Sequence, residues 1–458
     1  MPHPGPRRAR LLEAAAAHRP ALPALATVLL VCVPTYRGPG AGPTLADAAS
    51  GALVVCCAAW ALRARARPLD ATAAAVLAAP AAGLALAAVT AQDPAAGLTG
   101  FVRLLQVFVL VPAALVLTLR SPRHTRLVAA SLVAVAVVQG AVGVHQYLTG
   151  TGASYQGEDV RAVGTFGPTD VMGMASAVSC GVVLALAAGL DPPAGSPRWL
   201  RPAALGTAAA LLVPLVLSFS RGAWISTAAA CAAVLLLTGL GTALRTLAVV
   251  LAAAVVLVGG FGVGGDLVAE RAASITEVAA EPDRSVTDRY TMWAAAAGIW
   301  REDPLTGVGP GGFAEHRDSH ASLGLSSASD TAGAGQDFHR QPLLSPHNMY
   351  LLLLAEQGLA GAVTVTGGWA ALLVLGVRRL RRARRARAAG RGADCGPAAI
   401  GLLVLVCVDF LYADIGGPST VLTAVALGLA AWWALAPATV TGGAATGRAQ
   451  GAKEAVAR

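Results

Sequence analysis

Apolar residues along this chain do not recur with the period of an amphipathic helix or a strand. They come in blocks of about 14 to 31 residues separated by short polar runs, the pattern of segments that cross hydrocarbon rather than pack on a water-soluble core. Twelve blocks predict twelve spans: 21–34, 45–62, 71–91, 101–119, 127–148, 169–190, 203–219, 223–240, 243–263, 347–377, 398–413 and 420–436. The first is short and follows Arg7, Arg8 and Arg10, as in a secretory signal. No small-x-small cleavage site stands before the next block, so it reads as a retained anchor. The expected fold is an all-α, polytopic transmembrane bundle with one large external loop containing short helices.

The placement of Lys and Arg orients the bundle, because positive residues collect in cytoplasmic loops. With twelve spans, 24 of the 34 basic residues fall on one side, including eight arginines between Arg378 and Arg391. Omitting any span would scatter them onto both sides. The organisation that follows is a cytoplasmic tail (1–20), spans one to nine (21–263), an extracytoplasmic loop (264–346), spans ten to twelve (347–436) and a second cytoplasmic tail (437–458). The expected location is the cell membrane.

Composition changes this picture little. Of 458 residues 55% are hydrophobic and 13% charged, against about 25% charged in soluble domains. The net charge of +9 sits in short loop runs with no recognition fold beside it, which argues against nucleic acid. The seven cysteines lie in or beside apolar blocks and suggest neither a disulfide framework nor a zinc site. No internal repeat supports an inverted-repeat transporter.

Candidate chemistry gathers on the external side. Residues 288–301 read as an amphipathic helix carrying Arg289, with Trp293 and Trp300 seven apart on one face; Asp303-Pro304 ends it and a glycine-rich turn follows. Residues 319–335, rich in Ser, Ala and Gly, read as flexible. Ser220 and Arg221 join two spans with almost no loop, so Arg221 is either an anion ligand or an interfacial snorkelling arginine. Arg289 is either a ligand or part of a solvated helix face. His347 and Asn348 open a span, as a helix cap or as a neutral general base whose pKa the helix end lowers. Glu356, about 13 Å deeper by helical rise, is an intramembrane carboxylate that needs a partner. His316 and His320 lack a third ligand and His145 reads as a satisfied membrane histidine, so no metal is expected.

The order of RAVGTFGPTD (161–170), SRGAW (220–224), DRYTMWAAAAGIWREDPLTGVGPGGF (288–313) and PHNMYLLLLAEQGLAG (346–361) resembles the O-antigen ligase and O-antigen polymerase superfamily of membrane glycosyltransferases. The resemblance covers roughly residues 155 to 415. It implies transfer of a glycan from an undecaprenyl pyrophosphate carrier to a hydroxyl of a glycan, lipid or protein, by inversion and without a cofactor. It also implies that Arg221 and Arg289 hold the pyrophosphate and His347 is the base, with Arg161, Ser220, Asn348 and Glu356 in support. Thr169 and Asp170 stand where many relatives carry a Pro-Asn pair, and the resemblance leaves them, Asp409 and Asp414 without roles. Two other readings fit the same topology: a transporter of lipid-linked glycan or a small anion, and a non-catalytic scaffold for polysaccharide export.

Overall fold

The computed structural model describes residues 19–34, 44–64, 69–155, 160–167, 170–239, 241, 245, 284–321, 328–333, 339–385, 393–417 and 419–437. Thirteen helices run through them: α1 (Arg19–Cys32), α2 (Leu45–Ala64), α3 (Ala71–Val89), α4 (Pro94–Thr118), α5 (Pro122–Thr149), α6 (Gly173–Leu190) and α7 (Leu200–Leu217). After these come α8 (Arg221–Thr238), α9 (Arg284–Glu302), α10 (Phe313–His320), α11 (Met349–Arg385), α12 (Cys395–Asp409) and α13 (Thr420–Leu435). Eight, α2 to α8 and α11, are long and apolar enough to cross a membrane, while α1, α12 and α13 are apolar but shorter. Eight of the twelve expected spans thus coincide with helices that can cross a membrane, and three more fall on the shorter apolar helices; the ninth, 243–263, lies outside the described residues.

Large apolar side chains such as Leu62, Val89, Val102 and Val363 are more than half exposed. In water they would form an aggregation surface; against lipid tails they are at home. The helices therefore gain little from apolar burial and associate by close packing. Gly83 of α3 shows the tolerance: an added Cβ would sit 2.6 Å from the carbonyl oxygen of Ala360 in α11.

Polar residues fix the helix ends. Asp70, Asp93 and Ser220 cap α3, α4 and α8 by accepting bonds from amides of their first turns. The arginine-bearing ends meet at one end of the bundle. Arg120 stacks on Trp60, Arg126 holds Asp394 through two bonds of 2.8 and 2.6 Å, and Arg384 bonds the Leu237 carbonyl.

The sequence reading missed two irregularities. A small antiparallel sheet pairs β1 (Ala153–Tyr155) with β2 (Ala328–Gly333) and β2 with β3 (His339–Pro342), in register Ala153 to Gly333 and Ser329 to Gln341. The bundle itself is helical as expected, the sheet lying in the connecting segments, and part of the stretch read as flexible is a strand, held by backbone pairing that composition does not reveal. The second is a break in α11 at Gly358 (φ +58°, ψ −164°).

That break yields a prediction. A Cβ at Gly358 would lie 2.3 Å from the Leu305 carbonyl carbon, whereas one at Gly367, on the same helix, meets nothing within 4 Å. Gly358→Ala is expected to destabilise the detergent-solubilised protein by about 1–3 kcal/mol through backbone strain. Gly367→Ala should be neutral or stabilising by up to ~1 kcal/mol. Equal thermal unfolding midpoints for the two variants would refute the break.

Candidate functional site

The glycine-rich turn after α9 is seated in the break of α11. Leu359 N and Ala360 N donate to Pro304 O and Leu305 O at 2.9 and 3.0 Å, while Val308 N and Gly309 N donate to Ala355 O and Glu356 O at 3.0 Å. Groups that a continuous helix would have paired internally are satisfied by the loop. The turn needs its glycines. Gly307 has φ +66°, and a Cβ there would lie 2.5 Å from Ala355 O. Glu356 finds its partners here too: its carboxylate accepts from the amides of Gly311 and Phe313, the latter at 3.2 Å. It caps α10 and is buried (8% exposed).

This seating positions α9. Its buried stripe is Met292, Ala295, Ala296 and Ile299, at helical spacing. Trp293 and Trp300 flank that stripe, and the indole of Trp293 bonds Pro346 O at 2.9 Å. Arg289 is thereby held one turn before the packed stripe.

A second irregular segment, 161–167, rests on two glutamines of α5. Gln146 accepts from Val163 N and Gly164 N and donates to Gly164 O; Gln139 accepts from Thr165 N and donates to the Thr165 hydroxyl. Gln139 and Gln146 are seven apart, hence on one helix face. Arg161 begins this segment and exchanges two backbone bonds with Ala153.

A third irregular region joins the start of α11 to the turn after α12. Met349 N donates to Phe410 O and Ala413 O, and the Asn348 side chain donates to Leu411 O at 3.1 Å while accepting from Leu351 N. Asn348 is thus the cap of α11, and His347 precedes it with a left-handed backbone (φ +49°). The His347 amide bonds Ser345 Oγ at 3.2 Å; the same hydroxyl donates to Asp414, whose carboxylate lies 3.9 Å from His347 Nδ1.

The three regions enclose a cavity of about 570 Å³. Arg161, Arg289, His347 and Glu356 line it, together with Arg103, Asp170, Asp409, Tyr412 and Asp414. The structure thus brings together four of the seven residues singled out from the sequence. Ser220 and Asn348 are buried helix caps behind the wall. Arg221 is not among the lining residues; its neighbour Gly222 packs on the Tyr412 ring.

The His347 side chain is 47% exposed at the cavity. Its buried part and the protein around it hold its pKa below the usual imidazole value; Asp414 pushes back and Arg289 adds to the depression. The sequence reading assigned that depression to the helix end; here burial leads it. Asp170 accepts from Ser419 N at 2.7 Å, and burial pushes its carboxyl up to about 6, against the pull of the Ser419 and Gly173 bonds. Phe410 lines the cavity and packs on Phe108 and Trp369 behind it, the three rings 5.2–6.1 Å apart. His316 and His320 contact Gln92 and Glu302 respectively, away from this cavity.

Sequence reasoning missed Arg103, Asp170, Asp409 and Asp414 as members of the site. Arg103 had the plainest signal, a charge inside a span. Asp414 is 67 residues from His347, and nothing local in the sequence links them.

Comparison with known proteins finds one family at this place in the chain. No curated protein matches it. Residues 206–366 match the family model described as O-antigen ligase. That stretch includes Arg221, Arg289, the glycine-rich turn, His347 and the Gly358 break. The chain therefore has several helices long and apolar enough to cross a membrane, and the match of residues 206–366 to the O-antigen ligase family supports the resemblance that its motifs carry.

Proposed function

We propose that this protein transfers a glycan from undecaprenyl pyrophosphate to a hydroxyl of a glycan, lipid or protein acceptor, in the ligation or polymerisation of cell-surface polysaccharide. The carrying observation is that one cavity is lined by Arg289 and His347, with the Asp414 carboxylate 3.9 Å from the imidazole.

The chemistry is a single displacement. The acceptor oxygen attacks the anomeric carbon from the face opposite the carrier, and its proton passes to His347. The bond from that carbon to the diphosphate oxygen breaks, and the pair of electrons leaves with the diphosphate, inverting the centre. Negative charge therefore grows on the leaving group, where a guanidinium offers permanent charge and paired donors. Arginine takes the part that a metal plays in many soluble glycosyltransferases. At about 4 Å such a charge pair is worth roughly 4 kcal/mol at an effective dielectric near 20. Arg161 contributes from the facing wall, Glu356 holds the floor of the loop, and Arg221 acts from behind Tyr412.

Three predictions follow from this reading. With reconstituted protein and a lipid-linked glycan donor, Arg289→Ala should lower turnover by about 10²–10³-fold, the loss typical of removing one charge-stabilising donor. Arg221→Ala, outside the lining, should lose about tenfold. Equal losses would show that Arg221 reaches the substrate, and full activity in Arg289→Ala would remove the mechanism.

The pH dependence has a definite sign. A base must be unprotonated, so activity should rise through an acid limb below about 6.5, the ordinary histidine value, and hold at neutral pH. Asp414 raises the His347 pKa and Arg289 lowers it. Asp414→Asn should thus move the acid limb of kcat/KM to lower pH, and a move upward would contradict the assignment.

The cavity end should face outward from the cell membrane, with the arginine-bearing end and both termini in the cytoplasm. Alkaline phosphatase fused after residue 151 should be active and a fluorescent protein fused after residue 385 should fluoresce. The reverse pattern would invert the topology.

A further inference from the structure

Arg103 belongs to none of the motifs considered so far and lies outside the stretch matched by the O-antigen ligase model. It sits nine residues into α4, about 13 Å along the axis at 1.5 Å per residue. A charge at such a depth is expensive and persists where it has both a partner and a task.

The partner is Asp47 of α2, bonded to one guanidinium nitrogen. Asp47 is itself fixed. Its second oxygen accepts from Thr44 N and Thr44 Oγ1 at 2.9 and 2.8 Å, and Asp47 N donates back to Thr44 Oγ1 at 3.1 Å. This reciprocal cap sets the rotamer of the carboxylate and so aims the arginine.

The pair is lopsided. The Asp47 side chain is 12% exposed and that of Arg103 is 30% exposed. Arg103 lines the same cavity as Arg289 and His347, while Asp47 does not. Among the described residues its other terminal nitrogen makes a single long contact of 3.4 Å, to Gly417 O, close to Ser419, which Asp170 holds. A guanidinium has five N–H donors, more than these two contacts use, on a side chain that lines the cavity. One turn further on, Gln106 donates to Ser50 Oγ at 2.6 Å and opens a π-turn, Gln106–Leu110. Pro112, with no N–H to give, follows it. Turns of this kind inside α-helices recur at functional sites.

We propose that Arg103 is a phosphate-binding residue of this cavity: oriented by Asp47, it donates to a non-bridging oxygen of the carrier's diphosphate from the α4 wall while Arg289 acts from α9. This rests on the reading of the cavity as a prenyl diphosphate site and adds to it a cation from the first half of the chain. A bridging arginine, with one edge on a fixed carboxylate and the other on the ligand, is pre-organised and loses little freedom when the ligand arrives.

The test uses the intact protein in detergent, with farnesyl diphosphate as the probe and farnesol as the control. Phenylglyoxal modifies accessible guanidinium groups, and the extent at each arginine is read by mass spectrometry. Farnesyl diphosphate should protect Arg103 at least fivefold, and farnesol should not. Protection of Arg289 without Arg103 would overturn this proposal and leave the cavity reading standing. Protection of neither would overturn both. As a second measurement, Arg103→Gln combined with Asp47→Asn removes both charges and leaves no orphaned carboxylate. Farnesyl diphosphate should bind this variant at least tenfold more weakly than wild type, with farnesol affinity unchanged. Wild-type affinity for farnesyl diphosphate in the folded double variant would sink the proposal.

Discussion

When a helix breaks inside a membrane, the backbone groups it releases have no water to turn to, and each one left alone costs several kcal/mol. At Gly358 four such groups are met by the 304–309 loop. That exchange is the hinge of the architecture. It seats the glycine-rich turn between α3, α4 and α11, with Pro310 against Gly100 and Gly309 against Ala91. It brings Glu356 under α10 and lays α9 on the bundle so that Arg289 reaches the cavity. Without the break the loop would have no polar seat in the bundle, and without the loop the break would be unaffordable.

The same solution recurs around the cavity. Segment 161–167 is carried by Gln139 and Gln146, the 416–419 turn by Asp170, and the 410–413 turn by Asn348 and the Met349 amide. Each of these segments is irregular backbone with polar groups satisfied from the protein side. Irregular walls can place side chains that regular helices would send into lipid, and Arg161 and His347 are both delivered in this way. His347 stands with a left-handed backbone uncommon for residues other than glycine. Bonds from Asn348 and Met349 to the turn after α12 hold the chain immediately after that conformation.

The spans were legible because hydropathy is a local property: a block of twenty apolar residues declares itself whatever it packs against. Arg289, Arg161, His347 and Glu356 were legible for a related reason, being polar groups at or inside an apolar boundary. The break was not, since LLLLAEQGLAGA reads as one apolar run and only the glycine after Glu-Gln hints otherwise. Pairings between distant residues were also hidden: Asp170 with Ser419, 249 positions apart, and Asp47 with Arg103, 56 apart. Arg221 was singled out because a tight turn puts it at the boundary. The boundary does not say which way the side chain goes, and Tyr412 stands against its neighbour.

A cavity meant for an anion would be poorly served by the carboxylates around it unless they had other work. Here they do. Glu356 accepts from two loop amides, Asp170 from Ser419 and Gly173, Asp414 from Ser345, Asp409 from Ser226, and Asp47 from Thr44 and Arg103. Through these bonds the acids are the fasteners of the irregular walls, their oxygens satisfied by backbone amides, hydroxyls and Arg103. The cations sit differently, on three separate elements whose positions those fasteners set: Arg103 on α4, Arg161 on the strand-like segment and Arg289 on α9. Negative groups shape the container and positive groups face its contents, an arrangement suited to a polyanionic leaving group at the edge of a membrane.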